Sequence, residues 1–575
     1  MPGATRRTLR QAVAVMAGAL AVAGAPLRAD EVDVRGLLER LERLERQNEE
    51  LRRTLEQHQE VLRQLGPPAG AEPAPAEPAT PAPKSAAKDA AIRDIVRDYL
   101  KEVNDRQKAE EEAKRKAAQE AGYEIGSDLS MRANWRDGVQ LESANRDFRV
   151  HFGGRFQADS AWFNPDAGLS RAFPTTGNWL DGADFRRIRC RADGTVWEIF
   201  DFFWEMEFSQ GINGQATHPF PTDIFIDFKM LPLLGNIAVG HYKEPFSMTD
   251  YGTPDSFGVF MERAVDDAFS PDRNLGIMWH NAYFNDTVAI ASGIFKPNSD
   301  ARSGNVFDYG DGEYAYSSRI AFMPIYANDG RCWLLFALAW SHRILDPDDA
   351  GLPPNATNPS RARFQIRPPI RVNSPVLADT GPMQADNFDL YNLQLSVNLG
   401  SVLLQGEYYN AQVHNVRRGA FAPGVPRLLN PTFQGWYAQA SWFITGEYHP
   451  INRKLGRLLR VQPNELWFFT WQGDRGDRRG FARGWGAWEI AVRYSYVDLT
   501  SPALGDFPGV PGLRNSGVRA VTTAGIEQDI TISISCFLNP QMRLQANYAR
   551  ALRRVADPTK SGEVDILGMR FWFDF

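Results

Sequence analysis

The chain has 575 residues, 23% of them charged, with a formal net charge of -6 and a mean hydropathy of -0.39. These values exclude a bundle of transmembrane helices, and without a basic excess they exclude a general nucleic-acid footprint. They leave a membrane β-barrel open, because alternating lipid-facing and lumen-facing residues average to the hydropathy of a soluble protein.

In chain order, residues 1–29 predict a signal peptide. Arg6, Arg7 and Arg10 form a charged start, 12–25 an apolar stretch, and Ala29 a small residue at the cut. The apolar stretch is shorter than the roughly 20 residues that span a bilayer. Within 30–65, Leu37, Leu41, Leu44, Asn48, Leu51, Leu55, His58, Leu62 and Leu65 repeat at alternating spacings of four and three. That is a heptad seam and predicts a parallel coiled coil whose Asn48 fixes the register. The segment 66–84 is a spacer: 66–83 holds seven prolines and six alanines. In polyproline II this composition reaches on the order of 55 Å. Residues 85–122 predict a charged, solvated helix, with Ile92, Ile95, Val96, Tyr99 and Val103 on one face.

From 123 to 575 the pattern changes to short alternating segments between Gly, Pro, Asn and Asp clusters, which predicts an all-β transmembrane barrel. In 148–162 one parity carries Phe148, Val150, Phe152, Phe156 and Trp162, and the other carries Arg149, His151, Arg155, Gln157 and Asp159. The last segment alternates in the same way and ends on Phe575, similar to the C-terminal signal of outer-membrane barrels. Sixteen strands are expected, near 148–162, 185–196, 199–209, 222–231, 235–243, 275–284, 287–295, 313–324, 331–342, 389–399, 402–412, 433–444, 487–498, 525–537, 541–552 and 564–575. Extended pieces at 128–142 and 463–472 would raise the number to 18. Sixteen strands enclose an aqueous lumen. Long gaps at 163–184, 244–274, 343–388, 413–432, 445–486 and 499–524, set between tight connections, suit an up-and-down barrel. Aromatic groups such as Phe202-Phe203-Trp204 and Gly435-Trp436-Tyr437 are expected in the interfacial girdles.

Several runs resemble the signature of the phosphate-selective porin O and P family. They are Val239-Gly240-His241-Tyr242-Lys243-Glu244-Pro245-Phe246-Ser247, Phe260-Met261-Glu262-Arg263, and Phe269-Ser270-Pro271-Asp272-Arg273-Asn274-Leu275-Gly276. The sequence GWYAQASWF from Gly435 and GAWEIAVRYSYVDL from Gly486 fall in the same order. The resemblance covers about 128–575. It implies a homotrimeric outer-membrane channel of 16 antiparallel strands, with Arg and Lys lining a constriction that passes oxyanions. The segment ahead of the barrel is similar to the tethering porins of deep-branching envelopes. It implies a periplasmic coil that reaches toward peptidoglycan.

Apart from any family, Arg187, Arg189 and Arg191 share one strand parity, and guanidiniums about 6–7 Å apart would make an anion ladder along a lumen. The same parity argument turns Arg149, Arg155, Lys229, Arg319, Arg493, Arg543 and Arg570 inward, and Lys243 lies in the family motif. Such rows also occur paired to acids that order a wall, and Glu205, Glu207, Asp227, Glu407, Glu489 and Asp574 share the inward parity. The barrel segment holds 38 Arg but five Lys, which argues against strict phosphate selectivity. Lys243 and its followers Glu244, Pro245 and Phe246 also read as turn chemistry that docks a loop.

Cys190, Cys332 and Cys536 are odd in number and far apart, so they predict neither a disulfide framework nor a metal knuckle. No phosphate-cradling loop, His-Glu-x-x-His or nucleophile elbow occurs. The expectation is therefore a non-enzymatic porin without cofactor or metal, embedded in outer-membrane lipid and passing small hydrophilic, anion-biased solutes. The alternative is a structural tether that links the outer membrane to the cell wall through the coil.

Overall fold

The computed structural model describes residues 125–575 apart from 136, 175–178, 210–218, 233, 255–257, 264, 298–313, 346–360, 382, 418–427, 468, 472–480 and 502–523. The signal peptide, coiled coil, spacer and charged helix expected at 1–122 lie outside the described residues.

Sixteen strands form the wall. They are β1 (Arg149–Pro165), β2 (Gly182–Val196), β3 (Phe200–Glu207), β4 (Phe220–Leu231), β5 (Gly235–Lys243), β6 (Arg273–Tyr283), β7 (Val288–Lys296), β8 (Ala315–Ala327), β9 (Cys332–Ile344), β10 (Asn387–Leu399), β11 (Val402–His414), β12 (Thr432–Phe443), β13 (Ala487–Asp498), β14 (Gly525–Asn539), β15 (Met542–Val555) and β16 (Gly562–Asp574). Each pairs antiparallel with the next, and β16 returns to β1 with Val564 opposite Pro165 and Asp574 opposite Arg155, so the sheet closes. The terminal Phe575 completes the seam: its N–H donates to the Gly154 carbonyl at 3.0 Å, and its carbonyl accepts from the Gly154 N–H at 2.7 Å. The wall has 16 strands and not 18. The extended piece near 128–142 forms a hairpin of Met131–Trp135 and Val139–Ser143 that pairs with the first residues of β1, and among the described residues Phe469–Trp471 pairs with Phe481–Arg483 and not with the wall.

Strand parity decides what each wall residue meets. In β14, Ile530, Ile532 and Ile534 are exposed, whereas Glu527, Asp529, Thr531, Ser533 and Ser535 are buried. A continuous exposed apolar belt around a closed barrel is a lipid-facing surface, and the buried polar parity faces the lumen. Among the described residues no helix is long and apolar enough to cross a membrane; the strands do so. The girdle expectation is corrected in part. Phe203 has the inward parity and stacks on Phe225 with centroids 5.5 Å apart, and Tyr437 is buried inside on Glu407, whereas Phe202, Trp204 and Trp436 face outward.

The connections divide by end. One end carries tight turns such as 400–401 and 540–541, and the other carries the long loops, with one exception. The 444–486 connection belongs to the turn end and is long. Its part around 449–458 runs into the lumen, where the Trp333 Nε1–H donates to the His449 carbonyl at 2.9 Å and Ile451 and Leu458 pack with Leu335 and Leu403. From the loop end, 244–272 and 361–386 also fold inward, packing Phe246, Phe269 and Phe364 on Tyr409, Phe433 and Tyr437. At Gly435 an added Cβ would lie 2.5 Å from Val265 Cγ1, and at Gly568 it would lie 2.9 Å from Ile370 Cδ1. Glycine at these wall positions is what lets the two loops rest directly on the backbone.

Candidate functional site

The 244–272 loop crosses the lumen because acceptors and donors await it on opposite walls. At its start the Glu244 carboxylate accepts from Arg343 of β9 at 3.0 Å and from Asn274 of β6 at 2.6 Å, and it bonds Ser317 of β8. Glu407 of β11 then accepts the Met248 and Thr249 N–H groups at 2.8 and 3.0 Å. On the far side, carbonyls of the loop accept from wall side chains. Arg543 donates to Gly258 at 2.8 Å, Gln545 to Val259 at 2.7 Å, Arg493 to Glu262 at 3.1 Å, and Arg570 to Met261. The turn-end segment meets the same loop, where the Leu458 N–H donates to the Gly252 carbonyl at 2.9 Å.

What remains between these segments is an opening lined by Arg186, Arg187, Arg263, Arg371 and Arg493, facing Glu262, Asp267 and Asp272. Glu262 is its centre. Its carboxylate takes Arg186 Nε and Nη2 at 2.7 and 3.0 Å, Arg570 Nη2 at 2.7 Å and Arg371 Nε at 3.5 Å. Burial opposes the charge, yet Arg186, Arg371 and Arg570 together hold this carboxyl well below the ordinary carboxylate range. Burial, against the pull of Glu262 and with the push of neighbouring guanidiniums, brings Arg371 down to about 10, and Arg371 also pairs with Asp267.

Of the ten residues expected to line the channel, Arg187 and Arg493 border this opening. The Arg187 to Arg191 ladder does run along β2, but its rungs differ. Arg187 donates to Gln157 at 2.8 Å; Arg189 is clamped by Glu207 at 2.6 Å and Glu205 at 2.9 Å; Arg191 lies 3.3 Å from Asp193. Arg149 is 4.0 Å from that same Asp193, and Arg155 reaches Asp574 at 3.2 Å. Lys229 pairs with Asp201 at 2.8 Å. Lys243 pairs with Asp250 at 2.9 Å and fastens the loop, as its motif suggests. Arg319 donates to Gln394 at 2.9 and 3.0 Å, and Arg543 lies over the Trp572 ring at 4.5 Å.

Sequence parity misses three lining arginines. Arg186 should face lipid, but β1 and β2 slip register between Gln157 and Ala158, so Arg186 is the extra residue of a β-bulge and reaches Glu262. Arg263 and Arg371 stand in loops, where no period applies; the signal for Arg263 was its place in the Phe260-Met261-Glu262-Arg263 run.

A grouping of Ser441, His449 and Glu489 has the residue types of a hydrolase, but not its geometry. The same nitrogen, His449 Nε2, faces Glu489 at 2.8 Å and Ser441 at 3.3 Å, so neither proton relay nor tautomer selection follows.

A closed 16-stranded antiparallel barrel with inward-folded loops and a charged eyelet is a porin-type diffusion channel of the outer membrane. The chain belongs to the phosphate-selective porin O and P family, whose model matches residues 150–575. An uncharacterized protein of Caulobacter vibrioides is 24% identical over 448 residues, spanning 77% of this chain and 76% of that protein. Among solved structures, the outer membrane channel DcaP of Acinetobacter baumannii is similar at 10% identity and a TM-score of 0.43, over 74% of this chain and 97% of that one. The anion-selective porin of Comamonas acidovorans is similar at 12% identity and a TM-score of 0.41, over 74% and 100%. Salmonella typhi OmpF in complex with daunomycin gives 12% and 0.41, over 77% and 100%.

Proposed function

We propose that this porin is a passive, anion-preferring channel for small hydrophilic solutes, phosphate-type oxyanions among them. The observation that carries the reading is the eyelet, where five guanidiniums face three carboxylates between the inward-folded segments. A positive excess in a confined lumen raises the local anion concentration, and guanidinium forks replace part of an oxyanion's hydration. Wall arginines outside the eyelet such as Arg155 and Arg189 are neutralised by carboxylates and keep the lumen ordered. The reversal potential of a single channel in a KCl gradient tests this: a chloride-selective value is expected, and a potassium-selective one would overturn it.

The channel works as a homotrimer in the outer membrane, with the N-terminal coil in the periplasm; crosslinking of the native membrane should give a ladder ending at three copies. The heptad seam of 30–65 supports a second, compatible role as a tether toward the cell wall. Deleting 30–120 should leave insertion and conductance intact while weakening the envelope. An unweakened envelope would remove the tether role.

A further inference from the structure

A lumen this rich in guanidinium must also release the anions it attracts. We propose that Glu262 is the specificity-determining residue of the eyelet: its carboxylate is a resident competitor that occupies the guanidinium cluster, so that anions pass without being bound. This inference rests on the anion-preferring reading.

The geometry is that of a bound solute. Arg186 offers Nε and Nη2 side-on to the two oxygens at 2.7 and 3.0 Å, Arg570 adds a bond at 2.7 Å, and Arg371 stands at 3.5 Å. One guanidinium fork with two further cations is how proteins hold a phosphate or a carboxylate. Here the ligand is supplied by the loop itself. Glu262 is fixed by its own backbone, whose carbonyl accepts from Arg493 and whose preceding carbonyl accepts from Arg570. An attached ligand competes at a high effective concentration, so a free anion must displace a group that never diffuses away. Arg493, which anchors the Glu262 carbonyl, is itself buried beside the cluster, its guanidinium 4.4 Å from the Phe260 ring centroid. With Glu262 ionised, the three guanidiniums are balanced by Glu262, by Asp159 on Arg570 and by Asp267 on Arg371, and the transit contact is weak. With Glu262 neutral, the Arg186 fork loses its partner and one positive charge is left uncompensated between Arg371 and Arg570, which would hold an oxyanion.

The test is single-channel conductance in KCl with added inorganic phosphate, for the wild-type chain, E262Q and E262D. The wild type should carry chloride ohmically, with little block by phosphate. E262Q should give a conductance that saturates with salt and a phosphate half-blocking concentration at least tenfold lower. E262D keeps the charge but withdraws it from Arg186 and Arg570, and should fall between them. It decides the matter if E262Q does not assemble: block no stronger than in the wild type would then overturn the inference. An E262Q channel that stays ohmic and phosphate-insensitive, whether or not its conductance rises, would reduce Glu262 to a loop anchor and also overturn it. A potassium-selective wild type would instead defeat the anion-preferring reading. A chloride-selective wild type with a phosphate-insensitive E262Q would defeat this inference alone.

Discussion

Replacing Glu407 with alanine should release the pore loop without opening the barrel. The buried Glu407 carboxylate accepts four bonds: the Met248 N–H at 2.8 Å, the Thr249 N–H at 3.0 Å, the Thr249 hydroxyl at 3.2 Å and the Tyr437 hydroxyl at 2.7 Å. A bond to a charged group contributes more than the usual 1 kcal/mol, and donors left buried and unpaired carry a desolvation cost, so the loss is about 4–6 kcal/mol. The wall keeps its ladder, and the loop keeps its Glu244 and Glu262 anchors. The cost therefore falls on the stretch around Met248, which also holds Gly252 against Leu458. E407A should raise single-channel conductance, reduce selectivity and expose 244–272 to protease, with the folded barrel's mobility on unheated gels unchanged. E407Q should show about half the effect, because its amide nitrogen opposes one donor. Wild-type conductance and protease resistance in E407A would refute the anchoring argument.

Along the ladder, R187A should lower the chloride-to-potassium permeability ratio severalfold with little loss of stability. R189A strands the buried Glu205 and Glu207 and should cost about 3–5 kcal/mol, read as a lower midpoint of heat-induced unfolding in detergent. G435A places a Cβ 2.5 Å from Val265 and 2.8 Å from Phe269, so displacement of the loop should cost about 1–3 kcal/mol and appear as added current noise. Burial, with Asp250 and Glu407 adding to it and Arg263 opposing, raises the Asp266 carboxyl from 3.8 to about 7. The folded loop therefore binds more protons than the unfolded one between about pH 4 and 7. Its docking should weaken as pH rises through that window and change no further above it. Glu262 is shifted the opposite way and contributes above the ordinary carboxylate pKa, so it stays constant from pH 5 to 8. Hydrogen-exchange protection of 244–272, corrected for intrinsic rates, should thus be greater at pH 5 than at pH 8, and D266N should abolish the difference.

Much of the wall was legible in the sequence because a strand's period is two residues and each face meets a different solvent. The sixteen expected segments coincide with the sixteen strands to within a few residues, and Glu205, Glu207, Glu407, Glu489 and Asp574 all lie on the buried face. Parity also turned most of the cationic candidates inward. It could not say what each would meet there, because Arg155 finds Asp574 419 positions along the chain and Arg570 finds Asp159 411 positions away. It failed outright at Arg186, where one extra residue in β2 reverses the side chain.

Alternation and strand length follow from local chemistry, so the barrel wall, its lipid-facing belt and its polar lumen are already written in the chain. Where the inward loops meet and the charged cluster forms depends instead on contacts between segments far apart in the chain. The eyelet is made by three segments without period, 244–272, 361–386 and 444–466, whose positions depend on distant partners: Glu407, Arg570, and glycines that leave room for a backbone. Charge composition gave a slightly acidic chain, whereas folding gathers Arg186, Arg187, Arg263, Arg371 and Arg493 around one opening and sets acids such as Glu205, Glu207 and Asp574 against arginines of the wall.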